Sequence, residues 1–289
     1  MPYANARDKI RLHYEETGKG TPLIFVHEFS GDSRSWEAQL RFFSRRYRCI
    51  AFNARGYPPS DVPQARTKYS WRIAVDDIAD VLRHLRIRKA HVVGCSMGAY
   101  SALHFGMRYP ALTLSVTALG AGAGSDPATR KAFLQATEAH AHLFETLGTH
   151  AALRRRGFSA GRIPQMLKDP RGFAEFRRIH ESHSGIGLSR VLRGVQAKRP
   201  PIYELERGLR GFRPPLLVIC GDEDDSSIGP ALFIKHVCPN ARLWMCPAAG
   251  HTVNTEEPDL FNRSLLDFLT LVDSGRWQPR DPRSVVRPA

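Results

Sequence analysis

With 289 residues, the chain is long enough for one large α/β domain that carries an insertion, which suits the length better than two equal domains. Its 42% hydrophobic and 24% charged residues are typical of a globular protein, and no stretch approaches the length of an apolar membrane span. The net charge of +14 comes mostly from arginines scattered along the chain without a nucleic-acid recognition pattern, which favours a solvated basic surface over specific nucleic-acid binding.

Short apolar runs alternate with helical patterns in the first and last parts of the chain. Ser70 has the position of a helix cap, because apolar residues at helical spacing follow it. Strands that alternate with helices predict a mostly parallel, doubly wound α/β sheet. The predicted strands are residues 9–14, 22–27, 47–52, 91–95, 112–119, 215–220 and 241–246, and the predicted helices are residues 33–43, 70–85, 99–109, 230–237 and 258–271.

Residues 121–210 lack this alternation. Strand-like runs disappear, helical segments take their place, and the segment contains 16 Lys and Arg against 8 Asp and Glu. We interpret it as a basic helical cap inserted into a sheet domain that consists of residues 1–120 and 211–272. Residues 273–289 are rich in Arg and Pro and have no periodicity, so we interpret them as a tail that is mobile or runs over the surface.

The amino terminus and the cysteines indicate the expected compartment. Residues 1–8 contain no apolar segment typical of a secretory signal. The five cysteines form no CxxC pair, and their odd number argues against a disulfide framework, so we expect buried free thiols. These features predict a cytoplasmic protein without membrane association, and nothing in the sequence indicates its oligomeric state.

A serine lies at the turn between a strand and the following helix. Residues 91–98 lead an apolar run directly into Gly94-x-Ser96-x-Gly98. At such a turn the serine Oγ projects clear of the backbone, and both glycines are needed because a Cβ would strike a neighbouring element. The Met97 amide then stands at a helix N-terminus without a helical acceptor, where it can stabilise an oxyanion. The pattern predicts that Ser96 is a nucleophile.

Two later strands end in the residue types that a serine nucleophile needs. Residues 215–220 run into an acidic segment, and residues 241–246 run into Gly250-His251. A hydroxyl is a poor nucleophile near neutral pH, so it needs an imidazole base, which in turn needs a carboxylate to hold its tautomer. Because the carboxyl ends of parallel strands lie on one rim of a sheet, these groups can converge. The candidates for the acid are Asp222, Asp224 and Asp225.

The chain resembles the α/β-hydrolase superfamily, specifically its capped members, which include enol-lactonases, carboxylesterases, cofactor-free haloperoxidases and carbon–carbon bond hydrolases. The resemblance covers residues 9–120 and 212–270 and implies an α/β-hydrolase fold with an inserted helical cap. It rests on residues 26–31, 54–56, 94–98, 221–224 and 250–251. It further implies that Ser96 is the nucleophile, His251 the general base and Asp224 the acid, with the amides of Phe29 and Met97 as the oxyanion hole.

The chain departs from this pattern after His27. The family usually has a glycine there, whereas this chain has Glu28, whose carboxylate we expect to point to solvent; the alternative is a place near the pocket. Ala99 replaces a glycine that is common among the carbon–carbon bond hydrolases. Family members with Asp as the nucleophile cleave epoxides or alkyl halides, so Ser96 favours acyl transfer from esters, lactones or thioesters.

The sequence therefore predicts a serine hydrolase that acts on a small or medium carboxylic ester or lactone. A carbon–carbon bond hydrolase with the same triad is one alternative, and a non-catalytic ligand-binding protein with this fold is another. The basic cap favours substrates that carry a carboxylate. Because no dinucleotide fingerprint, P-loop or metal-ligand cluster is present, we expect no cofactor and no metal.

Some residues of the predicted cap can also face a ligand. His180 and His183 share one helix face, which we interpret as a polar surface rather than a ligand site. Phe158, Phe173 and Phe176 have spacings that are more typical of a core than of a pocket.

Overall fold

The computed structural model describes residues 2–285. Its strands are β1 (Tyr3–Asn5), β2 (Arg11–Thr17), β3 (Thr21–Val26), β4 (Tyr47–Phe52), β5 (Ala90–Cys95), β6 (Thr113–Leu119), β7 (Leu216–Gly221) and β8 (Ala241–Cys246). They form one eight-stranded sheet in the order β1-β2-β4-β3-β5-β6-β7-β8, in which β1 and β2 are antiparallel and the others are parallel. The mostly parallel, doubly wound sheet is confirmed, and β1 is a short addition that the sequence pattern did not predict.

The helices connect these strands and cover the sheet. They are α1 (Glu37–Phe43), α2 (Trp71–His84), α3 (Met97–Arg108), α4 (Arg130–Arg156), α5 (Ile163–Lys168), α6 (Pro170–Glu181), α7 (Gly185–Val191), α8 (Glu206–Arg210), α9 (Asp225–Val237), α10 (Val253–Glu256) and α11 (Pro258–Asp273). As the sequence predicted, Ser70 caps α2, because its Oγ accepts the amide of Ile73 at 3.1 Å.

The central strands are buried on both faces, which explains their continuous apolar runs. All six residues of β5 and of β7 are buried. Ile24 and Val26 of β3 belong to a core that includes residues of α2 and α3, whereas Leu23 and Phe25 belong to the opposite core with α1 and α11. Each such side chain stabilises the fold by roughly 1.5–3 kcal/mol. The buried sheet is therefore a rigid base for the loops at the carboxyl ends of its strands.

The strand register brings several of these carboxyl ends level with one another. Cys95 of β5 pairs with Leu119 of β6, and Gly221 of β7 pairs with Cys246 of β8. The segments that follow β5, β7 and β8 consequently leave the sheet at the same edge, where ligand sites of such sheets lie.

Between β6 and β7, the described chain forms helices α4 to α8 and contains no strand. Gly148 has a φ of +72° and bends the chain inside α4, and α4 packs against α7. We keep the interpretation of residues 121–210 as an inserted cap, because this is the segment in which helices replace the strand–helix alternation.

The cysteines and the helices agree with two of the sequence expectations. All five cysteines are buried and unbridged, so the predicted free thiols are confirmed. Burial raises the pKa of the Cys95 thiol well above its ordinary value, so this neighbour of Ser96 is not a thiolate. Among the helices of residues 2–285, none has the length and apolarity that crossing a membrane requires.

The segment that we interpreted as a tail begins inside the last helix. Asp273 is the final residue of α11, and Trp277 beyond it packs edge-on against Phe268, with ring centroids 4.8 Å apart. Residues 274–285 thus include contacts with the sheet domain. Residues 286–289 lie outside the described residues.

Asp273, whose side chain is 36% exposed, also completes a hydrogen-bonded cluster near the amino ends of β4, β5 and β6. One carboxylate oxygen accepts the Tyr47 hydroxyl at 2.8 Å, and the other lies 2.9 Å from Nε2 of His91. The Nδ1 atom of His91 lies 2.7 Å from Oγ of Ser115. This serine, histidine and aspartate resemble a catalytic triad, but His91 and Ser115 are fully buried and line none of the described cavities, so the cluster is structural.

We expect Asp273→Asn to lower the free energy of unfolding by about 1–3 kcal/mol, measured by urea denaturation at pH 7. Burial opposes ionisation of this carboxyl, but the hydrogen bonds from His91 and Tyr47 hold its pKa below the ordinary value. Its contribution is therefore present at neutral pH and is lost as the pH falls through the pKa of the folded state. Asp267→Asn, the same change at another exposed residue of α11 that is outside the cluster, is the control. Equal stability losses in the two variants would contradict a structural role of the cluster.

Candidate active site

The turn after β5 holds Ser96 in a conformation that few residues other than glycine adopt. Ser96 has φ +52° and ψ −110°, and α3 starts at the next residue. A Cβ on Gly94 would lie 2.2 Å from the carbonyl oxygen of Gly98, and one on Gly98 would lie 2.1 Å from that of Val26. Both glycines are therefore required for the close approach of strand, turn and helix, as the sequence predicted.

The three side chains at the sheet edge form a continuous hydrogen-bonded chain. Oγ of Ser96 lies 2.8 Å from Nε2 of His251, and Nδ1 of His251 lies 2.6 Å from Oδ2 of Asp224. Asp222 and Asp225, the other two candidates for the acid, do not contact His251. Asp222 accepts the amide of Ala249, and Asp225 is exposed at the start of α9.

The environment of Asp224 favours its ionised form. Burial alone would raise the pKa of this carboxyl, but the imidazole of His251 and the neighbouring serine hydroxyls lower it below the ordinary value. Among these hydroxyls, Oγ of Ser226 donates to Oδ1 of Asp224 at 2.9 Å. An ionised Asp224 accepts a hydrogen bond from the Nδ1–H group of His251, which leaves the Nε2 lone pair free to accept a hydrogen bond from the Ser96 hydroxyl.

The loop that follows β3 is held in place by a buried histidine, His27. Nε2 of His27 accepts the amide of Ala54 at 3.0 Å, so Nδ1 carries the proton and donates to the carbonyl of Glu28 at 2.7 Å. Burial lowers the pKa of His27, which keeps it neutral. The hydroxyl of Tyr57 donates to the carbonyl of Phe29 at 2.8 Å. The carbonyl of Glu28 is thus bound by the preceding residue and that of Phe29 by Tyr57, which fixes the orientation of the Phe29 peptide.

The amides of Phe29 and Met97 are available for an external acceptor. Among residues 2–285, neither backbone N–H donates to a protein oxygen. Met97 directly follows Ser96 at the N-terminus of α3, where the first amides have no helical partner. Phe29 and Ser96 line the same cavity, and free backbone donors near a serine hydroxyl are the groups that stabilise a developing oxyanion.

Sequence comparison identifies the family to which this fold and this serine turn belong. A family model described as alpha/beta hydrolase fold matches residues 21–258. The chain belongs to the α/β-hydrolase fold family.

Several distant relatives and solved structures match nearly the whole length of this α/β hydrolase. A 2-(acetamidomethylene)succinate hydrolase from Mesorhizobium japonicum is 26% identical over 270 residues, which are 90% of this chain and 92% of that protein. The enol-lactonase of Burkholderia xenovorans LB400 superposes with a TM-score of 0.80 at 22% identity, covering 93% of this chain and 100% of that one. A malate-bound thermophilic esterase from Thermogutta terrifontis superposes with a TM-score of 0.81 at 23% identity, covering 94% and 98%. The two structural matches establish the fold alone.

The prediction that Glu28 points to solvent is wrong. Its side chain is buried, and Oε1 accepts a hydrogen bond from Nη2 of Arg162 at 3.1 Å. Arg162 is itself buried and also donates to Oγ1 of Thr252 at 2.9 Å and to Oε1 of Gln165 at 3.0 Å. Glu28 therefore borders the cavity, which is the alternative position that the sequence left open. It is buried there because Arg162 of the inserted segment covers it.

The segment that carries Arg162 also contacts His251. The backbone N–H of His251 donates to the carbonyl of Gly161 at 2.9 Å. A Cβ on Gly161 would lie 3.1 Å from the Cβ of His251, so a larger residue would crowd the imidazole. Sequence reasoning missed both Gly161 and Arg162, because no local pattern indicates which residue of a helical insertion reaches the sheet edge.

We expect Glu28→Gln and Arg162→Gln each to lower the free energy of unfolding by about 3–5 kcal/mol, because each leaves a buried partner uncompensated. The double variant should be more stable than the sum of the two losses predicts, since it removes both charges. A double-mutant cycle in urea measures this coupling. Strictly additive losses would show that the two side chains do not stabilise one another.

A cavity of about 430 Å³ opens above Ser96. Phe158 and Phe176 of the inserted segment line it, whereas Phe173 is buried but does not reach it. His180 lines it as well, and both His180 and His183 are buried, so their interpretation as a polar surface is wrong. They do not share a helix face, because α6 ends at Glu181; the ring of His180 packs against Phe29, and that of His183 packs against Tyr57. The size of the cavity suits a small organic ligand.

Proposed function

We propose that this α/β hydrolase is a serine hydrolase that cleaves a small or medium carboxylic ester or lactone through an acyl-enzyme. The observation that carries the proposal is the contiguous chain from the Ser96 hydroxyl through His251 to Asp224, with Ser96 on the cavity wall. A serine hydroxyl acquires nucleophilicity from such a base, and the base acquires its tautomer from the acid.

In the first half of the reaction, Nε2 of His251 accepts the Ser96 proton while Oγ attacks the carbonyl carbon of the substrate. The carbonyl oxygen of the ester becomes an oxyanion that accepts hydrogen bonds from the amides of Phe29 and Met97. The tetrahedral intermediate then collapses, the bond to the leaving alkoxide breaks, and His251 gives its proton to that oxygen. The imidazolium formed in between is stabilised by the Asp224 carboxylate 2.6 Å away.

In the second half, water replaces the alcohol. His251 takes a proton from the water, whose oxygen attacks the acyl carbon, and the same two amides donate hydrogen bonds to the carbonyl oxygen as negative charge develops on it. Collapse of this intermediate releases the carboxylic acid and returns the proton from His251 to Oγ of Ser96. In a lactone, the leaving hydroxyl and the acid belong to one product molecule, and the steps are otherwise the same.

The similar proteins support this chemistry without deciding the substrate. Two of the structures that superpose on the chain are an enol-lactonase and an esterase, and the Mesorhizobium japonicum relative is a hydrolase by name. Serine rather than aspartate at the turn suits attack on an acyl carbon, because a serine ester is readily hydrolysed by water activated at the same histidine.

A fluorophosphonate probe followed by peptide mass spectrometry tests the proposal together with p-nitrophenyl butyrate turnover. We expect covalent labelling at Ser96 alone and release of p-nitrophenol. Labelling of Ser96 without ester turnover would favour the carbon–carbon bond hydrolase alternative, and cleavage of a β-diketone would then be measured. Absence of both labelling and turnover would favour a ligand-binding protein and would overturn the proposed function.

A further inference from the structure

Two arginines line the cavity above Ser96, and only one of them is neutralised. Arg162 is bound by the carboxylate of Glu28. Arg156, the last residue of α4, has no carboxylate within 4.0 Å among the described residues. Its single side-chain hydrogen bond runs from Nε to Nε2 of His140 at 3.2 Å. A guanidinium is charged at neutral pH, so the cavity wall carries an uncompensated cation.

The histidine that holds Arg156 is neutral. Burial and the nearby charge of Arg156 lower the pKa of His140 to about 4, so its Nε2 is an unprotonated acceptor. Because His140 engages only Nε, the two terminal Nη groups of Arg156 have no protein acceptor within residues 2–285. These two groups form the flat end of the guanidinium fork, the part that binds a carboxylate through parallel hydrogen bonds.

A second unsatisfied group lies on the same wall. His180 is 1% exposed, and both of its ring nitrogens lack a hydrogen-bond partner among the described residues. Its ring packs between those of Phe29, Phe144 and Phe176. Burial holds its pKa well below the ordinary value, so it is a neutral imidazole with one N–H to donate. A buried polar group without a partner is costly unless a ligand satisfies it.

The carboxylates around the cavity do not neutralise this wall. Glu28 is engaged by Arg162, and Asp224 by His251. Glu223 and Asp225 also border the cavity, but both are exposed, so solvent screens their charge. The cavity wall therefore presents a half-buried cation, Arg156, and a buried neutral donor, His180, and neither donates a hydrogen bond to a protein oxygen within residues 2–285.

We propose that Arg156 and His180 form a subsite for a carboxylate group of the substrate. The inference rests on the proposed function for the cleavage step, and it narrows the substrate class to esters or lactones that carry a second, ionised carboxyl group. His140 is a positioning residue that orients the guanidinium. The substrate carboxylate accepts hydrogen bonds from the two Nη groups of Arg156 and from the N–H of His180, which compensates the half-buried charge and satisfies the imidazole.

The decisive experiment measures binding without turnover. Adipate, a dicarboxylate, is titrated calorimetrically into Ser96→Ala and into the double variant Ser96→Ala/Arg156→Gln. We expect the second change to weaken adipate binding roughly 10- to 100-fold, since it removes a charge-assisted pair. Arg155→Gln in the same background is the matched control, because it removes an equal charge from an exposed neighbour on the same helix. Equal affinities of the Arg156 and Arg155 variants would overturn the subsite.

Hydrolysis provides a second readout that separates the two proposals. The monoester of adipic acid with p-nitrophenol is compared with p-nitrophenyl hexanoate, in which a methyl group replaces the carboxylate. We expect Arg156→Gln to lower kcat/KM for the acidic ester roughly 10- to 100-fold and to change that for the neutral ester little. Arg156→Lys should recover part of the acidic activity, because it restores the charge but not the fork. Hydrolysis of both esters with equal losses would overturn the subsite alone, whereas hydrolysis of neither would overturn the proposed function.

Discussion

Ser96→Ala is expected to lower kcat/KM for p-nitrophenyl butyrate by roughly 10⁴- to 10⁶-fold. The substitution removes only Oγ, so no acyl-enzyme forms. His251 and the amides of Phe29 and Met97 keep their positions. Residual hydrolysis then comes from binding and from the amides of Phe29 and Met97 acting on attack by water. Stopped assays of p-nitrophenol release, with purified protein and a protein-free blank, measure this loss in kcat/KM.

Cys95→Ala is the control for this prediction, because Cys95 is the adjacent residue and the other conceivable nucleophile. Its thiol is buried and un-ionised, so the variant should keep most of its activity. Loss of activity in Cys95→Ala with retention in Ser96→Ala would transfer the nucleophile to the thiol. Circular dichroism of both variants excludes unfolding as the cause.

Asp224→Asn is the second change with a large expected effect, a loss of about 10³- to 10⁴-fold in kcat. The amide that replaces the carboxylate donates a hydrogen bond to Nδ1 of His251, so the ring proton moves to Nε2. A protonated Nε2 cannot accept the Ser96 hydroxyl, although the side chains stay in place. KM should change much less than kcat, because Asp224 acts through His251.

The neighbouring acids supply isosteric controls. Asp222→Asn and Asp225→Asn make the same chemical change within three residues of chain, but neither carboxylate contacts His251. Both variants should keep activity close to that of the unchanged protein. A loss in Asp225→Asn comparable to that in Asp224→Asn would mean that the acid is supplied by the first turn of α9.

The sheet and the serine turn could be predicted because short-range patterns determine them. The apolar run of β5 is buried on both faces, and the two glycines around Ser96 are demanded by contacts within one strand–turn–helix unit. The match of a family model to residues 21–258 agrees with that prediction. Strand β1, with three residues, is too short for periodicity to indicate it.

The surroundings of the serine could not be predicted in the same way. The sequence around Glu28 predicts a surface residue in a polar loop. Its burial depends on Arg162, which is 134 positions away in the chain. The spacing of His180 and His183 fits one helix face, either exposed or buried. The structure instead ends α6 at Glu181, and contacts with Phe29 and Tyr57, which are distant in the chain, bury the two rings.

Local sequence alone determined the parallel sheet, the strained serine turn and the polar strand ends that follow β7 and β8, because each arises from residues within one or two elements. The tertiary structure decided which of three aspartates meets His251, what covers Glu28, and that Arg156 and His180 face the cavity. Those outcomes depend on how an inserted helical segment is oriented over the sheet edge. That orientation is set by the summed packing of many distant side chains, which no short pattern encodes.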